Sequence, residues 1–175
     1  MIRQLQKDSF ELLKKLISIQ SFSKEENKTA DAIEEFLQER NIKTNRKLNN
    51  IWAYNKHFDS AKPTLLLNSH HDTVKPNSGY TRDPYDAAEE DGKLFGLGSN
   101  DAGGCLVSLI GTFLYFYEQE GLNYNICLAT TAEEEISGND GLECVLPDLG
   151  ELEFASVGEP TQMNLAIAER GLLVL

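Results

Sequence analysis

The acidic and histidine residues that could do chemistry in this chain sit at the ends of apolar, strand-like runs or just ahead of an apolar helix. Leu65-Leu66-Leu67 leads into Ser69-His70-His71-Asp72, and Ile126-Cys127-Leu128-Ala129-Thr130-Thr131 leads into Glu133-Glu134-Glu135. Phe154-Ala155-Ser156-Val157 leads into Gly158-Glu159-Pro160, while Gly96-Leu97-Gly98-Ser99-Asn100-Asp101 precedes the helix. In an open α/β sheet, loops at the carboxyl ends of the strands converge on one crevice. Four such loops would gather His70, Asp72, Asp101, Glu134, Glu135 and Glu159. Carboxylates that share a site push one another's pKa up, so a set of this size calls for divalent cations among them. Mixed imidazole and carboxylate donors suit zinc or a neighbouring first-row metal.

Each motif also has a bland reading. Two adjacent histidines at a strand end need no ligand. In an extended segment, however, neighbours point to opposite sides, so only one of His70 and His71 faces the crevice easily. Residues two apart share a side, which pairs His70 with Asp72. A carboxylate on the far ring nitrogen is the usual way to orient a ligating imidazole. An acidic run is usually a solvated face, as expected of Glu89-Glu90-Asp91 beside its turn. Glu133-Glu134-Glu135 instead ends an apolar strand, and there one glutamate can bind metal while its neighbour shuttles a proton. Asp101 could simply cap a helix, and Gly158-Glu159-Pro160-Thr161 could be only a turn. The glycines around Asp101 match neither a dinucleotide fingerprint nor a phosphate loop, and no nucleophile elbow occurs. His57 lies in a polar loop and reads as surface.

The elements that must position these residues follow from periodicity. Leu5, Leu12, Leu13, Leu16 and Ile17 mark an amphipathic first helix. Ser23-Lys24-Glu25-Glu26 reads as a capping box for a second helix with Thr29, Ile33, Phe36 and Leu37 on one face. Strands are expected at Ile51 to Tyr54, Thr64 to Asn68, Tyr124 to Thr131 and Phe154 to Val157, with a further candidate at Asn164 to Ala168. Unbroken Leu and Ile runs suit strands covered on both faces. Asp91-Gly92 reads as a hairpin turn. Helices are expected from Gly103 to about Glu120 and from Asn139 to Val145. Strands alternating with helices give the α/β class.

A chain of 175 residues can bury a sizeable core. Its net charge of −12 argues against nucleic acid and anionic membrane, both polyanions, as partners. Cys105, Cys127 and Cys144 are odd in number and form no CxxC pair, so buried reduced thiols are expected. No signal peptide is visible, and the longest apolar stretch is too short to span a bilayer. The cytoplasm is the simplest compartment. The terminal Leu172-Leu173-Val174-Leu175 is apolar where domain ends are usually polar, which predicts that the chain is part of something longer.

In order, Ser69-His70-His71-Asp72-Thr73-Val74, Gly96-Leu97-Gly98-Ser99-Asn100-Asp101, Thr131-Ala132-Glu133-Glu134-Glu135 and Val157-Gly158-Glu159-Pro160-Thr161 resemble the M20 family of metal-dependent amidohydrolases and exopeptidases. Acetylornithine deacetylase and succinyl-diaminopimelate desuccinylase belong to that family. Asn100-Asp101-Ala102-Gly103-Gly104 and Ala168-Glu169-Arg170-Gly171 lean toward the deacetylase. The resemblance implies a three-layer αβα zinc-exopeptidase-like catalytic domain with a mostly parallel central sheet, of which residues 1–175 are the N-terminal part. It implies two divalent metals, zinc first and cobalt or manganese as alternatives. His70 and Glu159 bind one metal, Asp101 bridges both and Glu135 binds the second. Glu134 is the general base, and Asp72 orients His70. The peptide after Asp101 is implied to be cis. The substrate implied is a small-molecule N-acyl amino acid, foremost N-acetylornithine, with a desuccinylase or dipeptidase as the alternative. Family members are longer. They carry a lid domain, used for homodimerisation, and two further histidines, one for the second metal and one for the oxyanion. Without those, this chain alone is expected to be inactive. The competing reading from another class is a non-catalytic metal-binding module, which would have no use for the free carboxylate of Glu134.

Overall fold

The computed structural model describes residues 1–167. Its centre is a five-stranded sheet in the order β1-β2-β6-β3-β7. The strands are β1 (Asn45–Lys47), β2 (Asn50–Tyr54), β3 (Thr64–His70), β6 (Asn125–Thr131) and β7 (Phe154–Val157). β3 runs parallel to both β6 and β7, whereas β2 is antiparallel to β6 and to β1. Only β2 therefore opposes the common direction, and the sheet is mostly parallel.

Alternation along the strands decides what each face covers. Ile51, Ala53, Leu67, Ile126 and Leu128 pack with Leu12, Leu16, Ile33, Leu106 and Ile110. These come from α1 (Ile2–Ile17), α2 (Asn27–Gln38) and α3 (Cys105–Phe116). The intervening residues Trp52, Leu66, Cys127 and Ala129 meet Val145 and Leu149 on the other face. That second layer is thin and is built around α4 (Leu142–Val145). Burying a Leu or Ile side chain contributes about 1.5–3 kcal/mol, so the three-helix face supplies most of the apolar stabilisation.

Several expectations need correction. The capping box does not form. α2 begins at Asn27 after Glu26, and Ser23 Oγ instead donates to Asp72 Oδ2 at 2.7 Å. A serine and a glutamate three apart look the same whether they serve a helix start or distant partners. β7 has its predicted bounds but is exposed along its length, being the outermost strand of the sheet among the described residues. Asn164 to Ile167 form no strand, and Ala168 with Glu169-Arg170-Gly171 and Leu172-Leu173-Val174-Leu175 lies outside the described residues. α3 starts at Cys105, two residues later than expected, because the chain is kinked over 99–104. It also ends at Phe116, short of Glu120, and the short helix spans only Leu142–Val145. Of the three free thiols only Cys127 is buried, and Cys105 and Cys144 are partly exposed. The Asp91-Gly92 turn is as expected. Both residues have positive φ, 51° and 72°, and they join β4 (Glu89–Glu90) to β5 (Lys93–Leu94) as a primed hairpin turn requires. Among the described residues no helix is long and apolar enough to cross a membrane.

Candidate metal centre

Parallel register brings the acidic loops together at the carboxyl ends of the strands. His70 ends β3 opposite Thr131, which ends β6, and Asn68 lies opposite Val157, which ends β7. The segments after β3, β6 and β7 therefore emerge side by side. Two hydrogen bonds fix the β7 loop: Gly158 N–H donates to the Asn68 carbonyl at 2.8 Å, and Ser69 Oγ donates to the Gly158 carbonyl at 2.8 Å. Asp101 arrives differently, from the kinked turn before α3 rather than from a strand end. Gly98 takes φ 74° there, and its carbonyl accepts the Gly103 N–H at 2.9 Å. A Cβ on Gly103 would collide with that carbonyl oxygen. The Asp101–Ala102 peptide is cis.

His70 is the hub and is 1 % exposed. Its Nδ1 lies 3.1 Å from the Asp72 carbonyl and 3.3 Å from Asp72 Oδ1. Both are acceptors, so Nδ1 carries the proton. Nε2 then faces three carboxylates: Asp101 Oδ1 at 3.3 Å, Glu134 Oε2 at 3.7 Å and Glu159 Oε2 at 3.8 Å. His71 points the other way, as alternation predicts. Its Nδ1 meets Thr29 Oγ1 and its Nε2 meets the Asn49 carbonyl, both at 2.9 Å.

Asp72 organises more than the imidazole. Its carboxylate also accepts Ser23 Oγ and the backbone N–H groups of Glu134 and Glu135, at 3.1 and 3.2 Å. Burial works against its ionisation, but His70, Ser23 and the Glu134 N–H outweigh burial and hold Asp72 below its usual range. Neither Ser23 nor Glu26 stood out in the sequence as a site residue. Their sole signal was the serine–glutamate spacing, which a capping box explained equally well.

The electrostatics test whether the cluster suits a cation. Burial opposes charge on His70, yet Asp72, Glu159 and Glu134 raise it to about 9. Burial pushes Glu159 up to about 7, against the pull of His70 and with help from Glu134, Asp101 and Glu135. Glu135 is raised too, by burial and then by Asp101. Carboxylates whose ionisation is opposed for want of positive charge, around an imidazole that holds its proton, are what a divalent ion would relieve. His70, Asp101 and Glu159 each offer a ligand atom, and these atoms all lie within 4.8 Å of one another. Glu134 faces the same nitrogen. Glu135 stands beside this donor group rather than within it.

The α/β fold thus gathers a donor set fit for a divalent cation beside the carboxyl ends of parallel strands, with Asp101 supplied by the kinked turn before α3. The chain belongs to the peptidase family M20/M25/M40, whose model matches residues 66–169. It is 28% identical over 164 residues to a succinyl-diaminopimelate desuccinylase of Rickettsia bellii, covering 85% of this chain and 41% of that protein. It is 34% identical over 110 residues to an acetylornithine deacetylase of Proteus mirabilis, covering 62% of this chain and 28% of that one. Among solved structures, an M20 family metallo-carboxypeptidase from Sulfolobus solfataricus superposes with a TM-score of 0.68 at 25% identity, over 86% of this chain and 37% of that one. The chain thus spans about two fifths of the length of the first of these relatives.

Proposed function

We propose that the whole protein hydrolyses the amide bond of an N-acyl amino acid, and that residues 1–175 form the N-terminal, metal-binding part of its catalytic domain. The observation that carries this is the His70, Asp101 and Glu159 donor group with a further carboxylate, Glu134, beside it. His70, Asp101 and Glu159 would hold one divalent ion, and Asp101 with Glu135 would contribute to a second, zinc being the first choice and cobalt or manganese the alternatives. Bound ions would supply Lewis acidity to the scissile carbonyl and lower the pKa of the attacking water. Asp72 keeps the proton on His70 Nδ1, leaving Nε2 free to ligate. Glu134 is half exposed, and no hydrogen bond holds its carboxylate among the described residues. It is therefore available to take a proton from the attacking water and return it to the leaving amine. A pure binding module would have no role for it.

N-acetylornithine is the first candidate substrate. N-succinyl-diaminopimelate is the second, since the relative matching 85% of this chain is named for it. A cytoplasmic location and a homodimer formed through a lid domain complete the proposal. The test is an assay of the whole protein, loaded with zinc, on both amides. Release of the free amine from one of them, abolished by a chelator and restored by zinc, is expected. Release from neither contradicts the reading.

A further inference from the structure

Beneath the Glu133–Glu135 turn lies a buried carboxylate with no place in the mechanism above. Glu26 is 0 % exposed, although glutamates are almost never fully buried without partners. All its partners are N–H donors. Oε1 accepts the Lys24 N–H at 2.6 Å and the Glu133 N–H at 3.3 Å, and Oε2 accepts Asn49 Nδ2 at 2.9 Å. Asn49 is itself held, because its carbonyl accepts from His71 Nε2 at 2.9 Å. The Asn49 carbonyl can only accept, which puts a ring proton on Nε2, and Nδ1 lies 2.9 Å from Thr29 Oγ1, which itself donates to the Glu26 carbonyl at 2.9 Å. This network joins the start of α2, the entry to β2 and the end of β3 to one peptide group, that of Glu133.

That peptide sets where the next side chain goes. Glu133 has φ 56°, a left-handed conformation that non-glycine residues adopt only when something enforces it. Asp72 captures the N–H groups of Glu134 and Glu135 but not that of Glu133. The Gly138 N–H closes the turn on the Glu133 carbonyl at 2.8 Å, and Glu26 holds its N–H. We propose that Glu26 is a positioning residue for Glu134: reaching across from α2, it fixes the Glu133 peptide so that the Glu134 carboxylate faces His70 Nε2. This rests on Glu134 being the proton carrier.

Glu26→Met keeps the side-chain length and removes both acceptors. In the whole protein, on the better of the two amides, it should lower kcat about 10- to 100-fold, the scale of a misplaced catalytic group. KM and metal content should stay unchanged. In a Glu134→Ala background it should cost nothing further, because a residue that acts through Glu134 then has nothing to position. Glu26→Gln keeps an acceptor for the Glu133 N–H and should recover most of kcat. Wild-type kcat in Glu26→Met, or a loss that recurs undiminished without Glu134, overturns the proposal. If Glu26→Met fails to fold, Asn49→Ala, which frees Oε2, carries the same double-mutant test with a smaller expected loss. Amide hydrogen exchange separates this inference from the functional reading. The Glu133 amide should be protected in the wild type and lose protection in Glu26→Met or Asn49→Ala, while the β3 and β6 amides keep theirs. If the wild type hydrolyses neither amide, the functional reading fails and exchange alone decides. An unprotected wild-type Glu133 amide, or one that neither variant changes, then overturns the inference.

Discussion

Two runs of three consecutive acidic residues, Glu89-Glu90-Asp91 and Glu133-Glu134-Glu135, have nearly the same composition and opposite fates. The first forms an exposed hairpin in which Glu89 pairs with Lys14 at 2.8 Å and Glu90 pairs with Arg82. The second follows β6, which is buried along its whole length. All three of its N–H groups are captured by buried carboxylates, Glu26 for the first and Asp72 for the other two. In the hairpin the side chains find partners and the turn makes itself. In the second run the backbone is held from below; Glu133 is buried against Gly138, and Glu134 is left to face His70 at the carboxyl ends of the strands. An acidic run is a candidate site when its backbone, rather than its side chains, takes up the fold's hydrogen bonds.

That contrast predicts unequal effects. The largest should come from Glu134→Ala in the whole protein, with a kcat loss of about 10²- to 10⁴-fold, the usual worth of general acid–base catalysis, and metal content unchanged. Glu135→Ala should lose metal and activity together. Equal metal loss in both variants would exchange or erase the two roles. Next is Asp72→Ala, which removes the charged one of the two acceptors at His70 Nδ1, the backbone carbonyl remaining, together with the acceptor of Ser23 and of two turn amides. Metal affinity should fall about 10- to 100-fold, as for other groups that orient a ligating imidazole, and calorimetric titration reads this directly.

Proton competition gives a graded effect. With Glu159 at about 7 and His70 at about 9, a cation must displace protons from both below pH 7. Between 7 and 9 it displaces one, from His70. Affinity should therefore rise with pH, steeply up to 7 and about tenfold per unit beyond it, then level off. A chelator-competition series reads the slope, and a pH-independent affinity would remove His70 and Glu159 from the ligand set. The smallest effects belong to the hairpin. Glu89→Ala and Glu90→Ala break exposed ion pairs, which contribute little, so activity, metal affinity and Tm should stay within error of the wild type.

Much of this was legible in the residues. Period-two alternation separated His70 from His71 and paired it with Asp72. Unbroken apolar runs placed β3, β6 and β7 to within two residues at either end. Three kinds of feature escaped. β1 is three polar and charged residues, Asn45–Lys47, and an edge strand without an apolar pattern has no periodic signal. The exposure of β7 depends on its place in the strand order, which an apolar run does not encode. The long-range work of Ser23 and Glu26 was hidden because a local cap and a contact to residues 49 and 107 positions away, Asp72 and Glu133, use the same residue types.

The central claim is that His70, Asp101 and Glu159 form a cation site, and titration of the 175-residue chain with zinc tests it most directly. One tight equivalent is expected ahead of any weaker second one, with that first step weakened far more by Glu159→Ala than by Glu135→Ala and unaffected by Glu90→Ala. No saturable binding, or a first step that Glu159→Ala leaves intact, would contradict it.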